Sequence, residues 1–202
     1  MLGSDWPAVI DYLRRTNNVR EFYVRRHSPL VSFDVDWSDQ ETFRRQFQIW
    51  TTTQPIRPGD LIPVAQADDF ELDRYICDGL LLSLHSRAIL DEGSRYFLML
   101  DLLARHDELP RVTLYLNTLL AALGIENGGF VIRTERSFHF IARECVLMET
   151  YRQAFELVLK SGGGNGIVDV GYCAHSVARD LETGLRIQRR HEGERLEVAA
   201  LL

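Results

Sequence analysis

The sequence predicts an α/β protein in which helices pack on a mixed β-sheet. Residues 96–103 form an apolar run interrupted only by Asp101, which is typical of a central strand. From this run onward, the patterns follow in the order strand, helix, strand, helix, strand, strand. The 202 residues fit one domain. We expect a single unit made of an N-terminal αβ module, residues 1–94, and a motif-bearing sheet, residues 95–202.

The N-terminal half contains three helix patterns and one strand pattern. Apolar residues recur at roughly helical spacing over residues 7–26, which is also the most basic segment. Residues 30–37 alternate apolar and polar side chains and predict a strand, and residues 38–50 predict an amphipathic helix. The Pro and Gly content of residues 54–60 predicts a loop. The dense apolar pattern of residues 72–90 predicts a buried helix.

The second half has clearer boundaries. Pro110 suits the start of a helix and Gly124 suits its end. The apolar face of this helix consists of Val112, Leu116, Leu119, Leu120 and Leu123. Strands are predicted over residues 130–141, 167–172 and 184–190, a helix over residues 145–159, and a flexible turn over the glycine-rich residues 161–166.

Composition and charge exclude some classes of function. The net charge of −6 argues against a protein that coats long nucleic acid by bulk electrostatics, although a local basic groove remains compatible with it. Three widely spaced cysteines argue against a disulfide framework and against a zinc site. The sequence has no apolar run long enough to span a membrane and no pattern of a signal peptide at its start, so we expect a cytoplasmic protein.

Three short segments contain candidate chemistry. Asp101 lies inside an apolar strand pattern, where a buried carboxylate is costly unless it is paired or bound to a cation. Ser137 and His139 lie two residues apart, which places them on one face of a strand. Asp169 is a second isolated carboxylate in an apolar segment. Each signal is weak alone, because a lone polar residue in a strand is often structural.

The order of these segments resembles the archaeo-eukaryotic primase and primase-polymerase superfamily. That family has an acidic pair on a strand, then Ser-x-His, then a third acidic residue followed by Gly and Tyr, and then a strand with an Arg. The corresponding residues here are Asp101, Ser137 and His139, Asp169, and Arg186. The segment Arg20-Glu21-Phe22 is similar to the one that opens the smaller module of the family.

The resemblance implies a function. It implies that Asp101 and Asp169 hold Mg²⁺ or Mn²⁺, that Asp101, His139 and Asp169 are catalytic, and that Ser137, His139 and Arg186 bind the nucleotide. The ligands would be a nucleoside triphosphate and DNA or RNA, and the activity would be primer synthesis in replication or repair by two-metal nucleotidyl transfer. A protein partner in a nucleic-acid-processing complex is also expected.

One position departs from the family pattern. The second acid should stand two residues after Asp101, where this chain has Leu103. Asp34 and Asp36 have the expected spacing but precede His139 by about a hundred residues, so we place the first acidic motif at Asp101 and expect Asp34 and Asp36 to lie away from His139. Two hypotheses follow: an active nucleotidyltransferase, or a primase-fold protein that binds nucleotide or nucleic acid, or assembles with a partner, without efficient catalysis.

Overall fold

The computed structural model describes residues 6–27, 61–65, 81–178, 183–187 and 196–202. The helices in these ranges are α1 (Trp6–Thr16), α2 (Leu109–Leu123), α3 (Met148–Lys160) and α4 (Val170–Ala178). The strands are β1 (Glu21–His27), β2 (Leu61–Ala65), β3 (Leu81–Leu90), β4 (Gly93–Leu102), β5 (Gly129–Arg133), β6 (Phe138–Val146), β7 (Gly184–Arg186) and β8 (Glu197–Leu201). A short 3₁₀ helix, His106–Glu108, precedes α2, and a left-handed turn, Gly162–Gly166, follows α3.

The eight described strands form one sheet in the order β2-β1-β3-β4-β6-β5-β8, with β7 paired to β3. Each of these pairings is antiparallel. The predicted α/β architecture is therefore confirmed, but the described strands contain none of the parallel pairs of a mixed sheet. The reason is local: β3 and β4 are joined by a two-residue hairpin, and β5 and β6 by a four-residue one, and hairpins give antiparallel neighbours.

Alternation along the strands divides the apolar side chains between two cores. On β4, Leu98, Leu100 and Leu102 contact the core under α2, α3 and α4. Phe97 and Met99 point the other way, into the core under α1. We call these two sides of the sheet the three-helix face and the α1 face. Because both sides of β4 are buried, its sequence is a nearly continuous apolar run, as the sequence predicted.

Helix α2 matches its predicted boundaries. Pro110 lies in its first turn, where the missing N–H leaves no bond unmade. Gly124 adopts a left-handed conformation with φ of 68°, and its N–H bonds back to the last turn. Val112, Leu116 and Leu120 are buried against the sheet.

Several predicted elements differ from the structure. Residues 21–26 belong to β1 and not to a helix, because Phe22 and Val24 alternate inward with a period of two. Residues 81–90 of the predicted helix 72–90 form β3. The predicted strand 130–141 is a hairpin, β5 and β6. Residues 30–60 lie outside the described part of the chain, and so do Asp34 and Asp36.

The predicted strand 167–172 is also wrong. Val168 makes one isolated antiparallel bridge to Leu102, and helix α4 begins at Val170. None of the described helices is long and apolar enough to cross a membrane.

Candidate functional site

Asp101 and His139 lie opposite each other on neighbouring strands. The register of β4 and β6 pairs the two residues directly. Nε2 of His139 lies 3.7 Å from Oδ1 of Asp101, which is within ion-pair distance and longer than a hydrogen bond. His139 is buried (6% exposed), whereas 37% of the Asp101 side chain is exposed. Both side chains lie on the α1 face. Met99 precedes Asp101 by two residues, Ile141 follows His139 by two, and both are buried on that face. The pair therefore joins a buried imidazole to a solvent-accessible carboxylate.

Asp169, in the segment between α3 and α4, lies beside Asp101 at the end of β4. Its backbone N–H donates to the carbonyl of Asp101 at 2.9 Å, and Val168 bridges Leu102. Its Oδ1 accepts the N–H of Tyr172 at 3.0 Å, which caps the first turn of α4. Asp169 thus ends a chain segment that lies along β4, and one of its two carboxylate oxygens is engaged in capping.

Asp169 and Asp101 both lie near enough to the buried thiol of Cys173 for their charges to act on it. Burial raises the pKa of Cys173 well above its ordinary value, and the charges of Asp169 and Asp101 raise it further. Both carboxylates therefore act on one buried side chain of α4. The thiol stays protonated, and it is a core residue and not a nucleophile.

The left-handed turn fixes the approach to Asp169. Residues 162–166 all have positive φ, from 58° to 83°, which is why four of the five are glycine. A Cβ at Gly164 would collide with the ring of Tyr115, and the Asn165 carbonyl accepts a 2.7 Å bond from Arg111. The N–H groups of Ile167 and Val168 bond to the Gly163 carbonyl. Helix α2 therefore holds the segment that carries Asp169.

Ser137 belongs to the hairpin between β5 and β6. Its N–H donates to Thr134 Oγ1 at 3.1 Å, and the two hydroxyls lie 3.2 Å apart. His106 contacts the Thr134 carbonyl at 3.0 Å and packs edge-on against Phe138. These contacts give Ser137 a structural part in shaping the turn that precedes His139.

Arg186 lies elsewhere on the sheet. Its neighbours Leu185 and Ile187 are buried in the α1-face core, so alternation turns Arg186 to the opposite side of β7. The register pairs Arg186 with Ser83. The structure therefore brings together Asp101, His139 and the backbone of Asp169, and it does not bring Arg186 to them.

Leu103 and the described carboxylates bear on metal binding. Leu103 follows β4, is 57% exposed and supplies no ligand. Among the described residues, no group of three or more His, Cys, Asp and Glu side chains is arranged to hold a metal ion. Two carboxylates, one of them partly engaged in capping, do not match the several oxygen ligands that Mg²⁺ needs. The donor set of the described residues does not fit a two-metal centre.

Sequence reasoning missed a polar cluster on β1 and β3. Tyr23, Arg25, Ser83, His85 and Arg87 occupy alternate positions on the two strands, on the side away from the α1-face core. His85 is 1% exposed, and burial, followed by the charges of Arg25 and Arg87, lowers its pKa to about 4. The signal was present in the sequence, because residues 82–85 alternate apolar and polar side chains. The helix assigned to residues 72–90 hid it.

Comparisons with known proteins found no match to this chain among family models, curated proteins or solved structures.

Proposed function

We propose that this chain binds nucleotide or nucleic-acid phosphates through a primase-like core and transfers nucleotides weakly or not at all. The observation that supports this best is the meeting of three separate segments at one end of β4. Asp101, His139 and Asp169 lie 38 and 30 positions apart in sequence, yet Asp101 contacts the other two. Their order along the chain is the one that the family resemblance rests on.

His139 is the group best placed to contact a phosphate. An imidazole N–H is a good donor to a phosphate oxygen, and a buried ring costs little entropy to hold in place. Asp101, 3.7 Å away, lies within ion-pair distance of the ring and can hold its orientation. Asp101 also repels an anion, so the pair suits moderate binding and not tight capture.

Leu103 favours binding over catalysis. Nucleotidyl transfer of the two-metal type needs several anionic ligands, because two divalent ions bring about four positive charges. Asp101 and Asp169 supply two negative charges, and Leu103 supplies none. For this reason a chain that binds phosphate but transfers nucleotides weakly or not at all is the preferred alternative within the same fold.

The test measures nucleotide affinity of the purified chain by fluorescence titration, with and without Mg²⁺ or Mn²⁺. We expect measurable binding that His139→Ala reduces at least tenfold. His106→Ala is the matched control. His106 lies at the same end of the sheet, and its imidazole contacts the backbone carbonyl of Thr134. Equal loss in both variants, or no nucleotide binding by the wild-type chain, would contradict the proposal.

A further inference from the structure

The polar cluster on β1 and β3 contains buried donors that have no acceptor among the described residues. Nδ1 of His85 accepts the backbone N–H of Arg87 at 3.2 Å, so the proton of the neutral ring sits on Nε2. In the described part of the chain, Nε2 of His85 and Nε of Arg87 are buried without a hydrogen-bond partner. Native proteins rarely leave buried donors without a hydrogen bond. A ligand that supplies the acceptor is one explanation for these two.

The charges around these donors point to an anion. Arg87 donates to Ser94 Oγ at 3.4 Å and lies over the ring of Tyr23 at 5.8 Å. Among the described residues, the contacts of Arg87 include no carboxylate. Arg25 raises the positive charge felt by His85. The carboxylate that borders the cluster is Glu21, which accepts a 2.5 Å bond from the Tyr23 hydroxyl and so faces that ring.

The cluster continues across β3 to β7. Register pairs His85 with Gly184 on β7, which has no side chain to cover the imidazole. Across the same three strands, Arg25, Ser83 and Arg186 form a row next to it. Arg25, Arg87 and Arg186 are half-buried, whereas His85 is almost fully buried.

We infer that this cluster, made by Tyr23, Arg25, His85 and Arg87, is a binding site for a phosphate group. It is separate from the Asp101–His139 pair, which lies on the α1 face. Arg87 supplies charge and a planar set of donors, His85 supplies a single buried N–H, and the two together suit a tetrahedral oxyanion. The proposal does not depend on nucleotide binding at His139.

The first experiment measures thermal unfolding of the full chain in inorganic phosphate and in chloride of equal ionic strength. We expect phosphate to raise Tm of the wild-type chain and Arg87→Met to abolish that increase. Arg95→Met is the matched control: Arg95 lies on β4, pairs with Glu92 at 3.5 Å and points to the other face. Arg95→Met and His139→Ala should both retain the increase. A wild-type chain without the increase, or a loss shared by Arg95→Met, or a loss in His139→Ala alone, overturns the inference.

The second experiment needs no variant and keeps the inference testable if Arg87→Met does not fold. Imidazole resonances of ¹⁵N-labelled protein are followed while inorganic phosphate is added, and pyrophosphate is added in a parallel titration. A saturable shift of the His85 Nε2 signal supports the site. A preference for pyrophosphate identifies a polyphosphate ligand, and equal response identifies a single phosphate group. No shift at His85, with or without shifts at His139, overturns the inference.

Discussion

Nε2 of His139 lies 3.7 Å from Oδ1 of Asp101, across the β4–β6 ladder. This distance puts a negative charge beside the donor that we expect to contact a phosphate. The carboxylate lies within ion-pair distance of the imidazole and repels an anionic ligand at the same time. Which effect dominates depends on whether a cation sits beside Asp101, and that makes the sign of a single substitution informative.

We predict that Asp101→Asn raises nucleotide affinity about fivefold when no divalent ion is present. The reason is that removing one negative charge near a bound phosphate relieves a repulsion of about 1 kcal/mol in a half-exposed site. The measurement is a titration in EDTA. Asp107→Asn is the control, because Asp107 is exposed and paired with Arg105 at the same end of the sheet. A fall in affinity for Asp101→Asn in EDTA would show that the carboxylate serves His139 more than it repels the ligand.

Asp169 gives a prediction about stability. Because its Oδ1 caps α4, Asp169→Ala should lower the free energy of unfolding by about 1 kcal/mol, whereas Asp169→Asn should change it by a few tenths. Urea unfolding of both variants measures this. If Asp169→Asn lowers the free energy of unfolding as much as Asp169→Ala does, the charge of Asp169 stabilises the fold in addition to the capping hydrogen bond. If Asp169→Asn keeps its full stability but loses ligand binding, the charge of Asp169 is needed for binding.

His85 gives a prediction about pH. Its pKa is about 4 in the fold against an ordinary 6.5, so between these values the unfolded chain binds the extra proton and the folded chain does not. The stability from the neutral ring is present above pH 6.5 and is lost as pH falls toward 4, by up to about 3 kcal/mol. The measurement is urea unfolding at pH 7 and pH 4.5. Asn at position 85 retains an acceptor for the Arg87 N–H but does not titrate.

The comparison of slopes decides this prediction. Wild-type chain should lose more stability than His85→Asn between the two pH values, since other titrating groups are common to both. An identical loss would mean that His85 is protonated in the fold at pH 4.5, or is not buried as the structure has it.

Elements with strong local signals were predicted from the sequence. Helix α2 had Pro110, a repeating apolar face and Gly124, and β4 had a buried run with one charge. The failures share a cause: short apolar patterns fit both a helix and a strand. Phe22 and Tyr23 fit a helical period, yet Phe22 and Val24 alternate as a strand against β3. Which pattern prevails is decided by partners far away in sequence.

The site was predicted in part for a similar reason. Asp101 and His139 lie on neighbouring strands, and both strands were predicted because their residues are mostly apolar. Asp169 was assigned to a strand because Ile167 and Val168 are apolar, but a capping carboxylate followed by Gly171 and Tyr172 begins a helix equally well. The side on which Arg186 lies depends on its register with Ser83, and no sequence pattern encodes that register.

The central claim is that Leu103 deprives the chain of a metal ligand, and primer extension with Mg²⁺ or Mn²⁺ tests it most directly. Leu103 is 57% exposed, so Leu103→Asp should fold normally, and Leu103→Asn provides a neutral control of the same size. We predict weak or no extension by the wild-type chain and by Leu103→Asn, and a metal-dependent gain of at least tenfold in Leu103→Asp. Robust extension by the wild-type chain that disappears in Asp101→Ala would contradict the account.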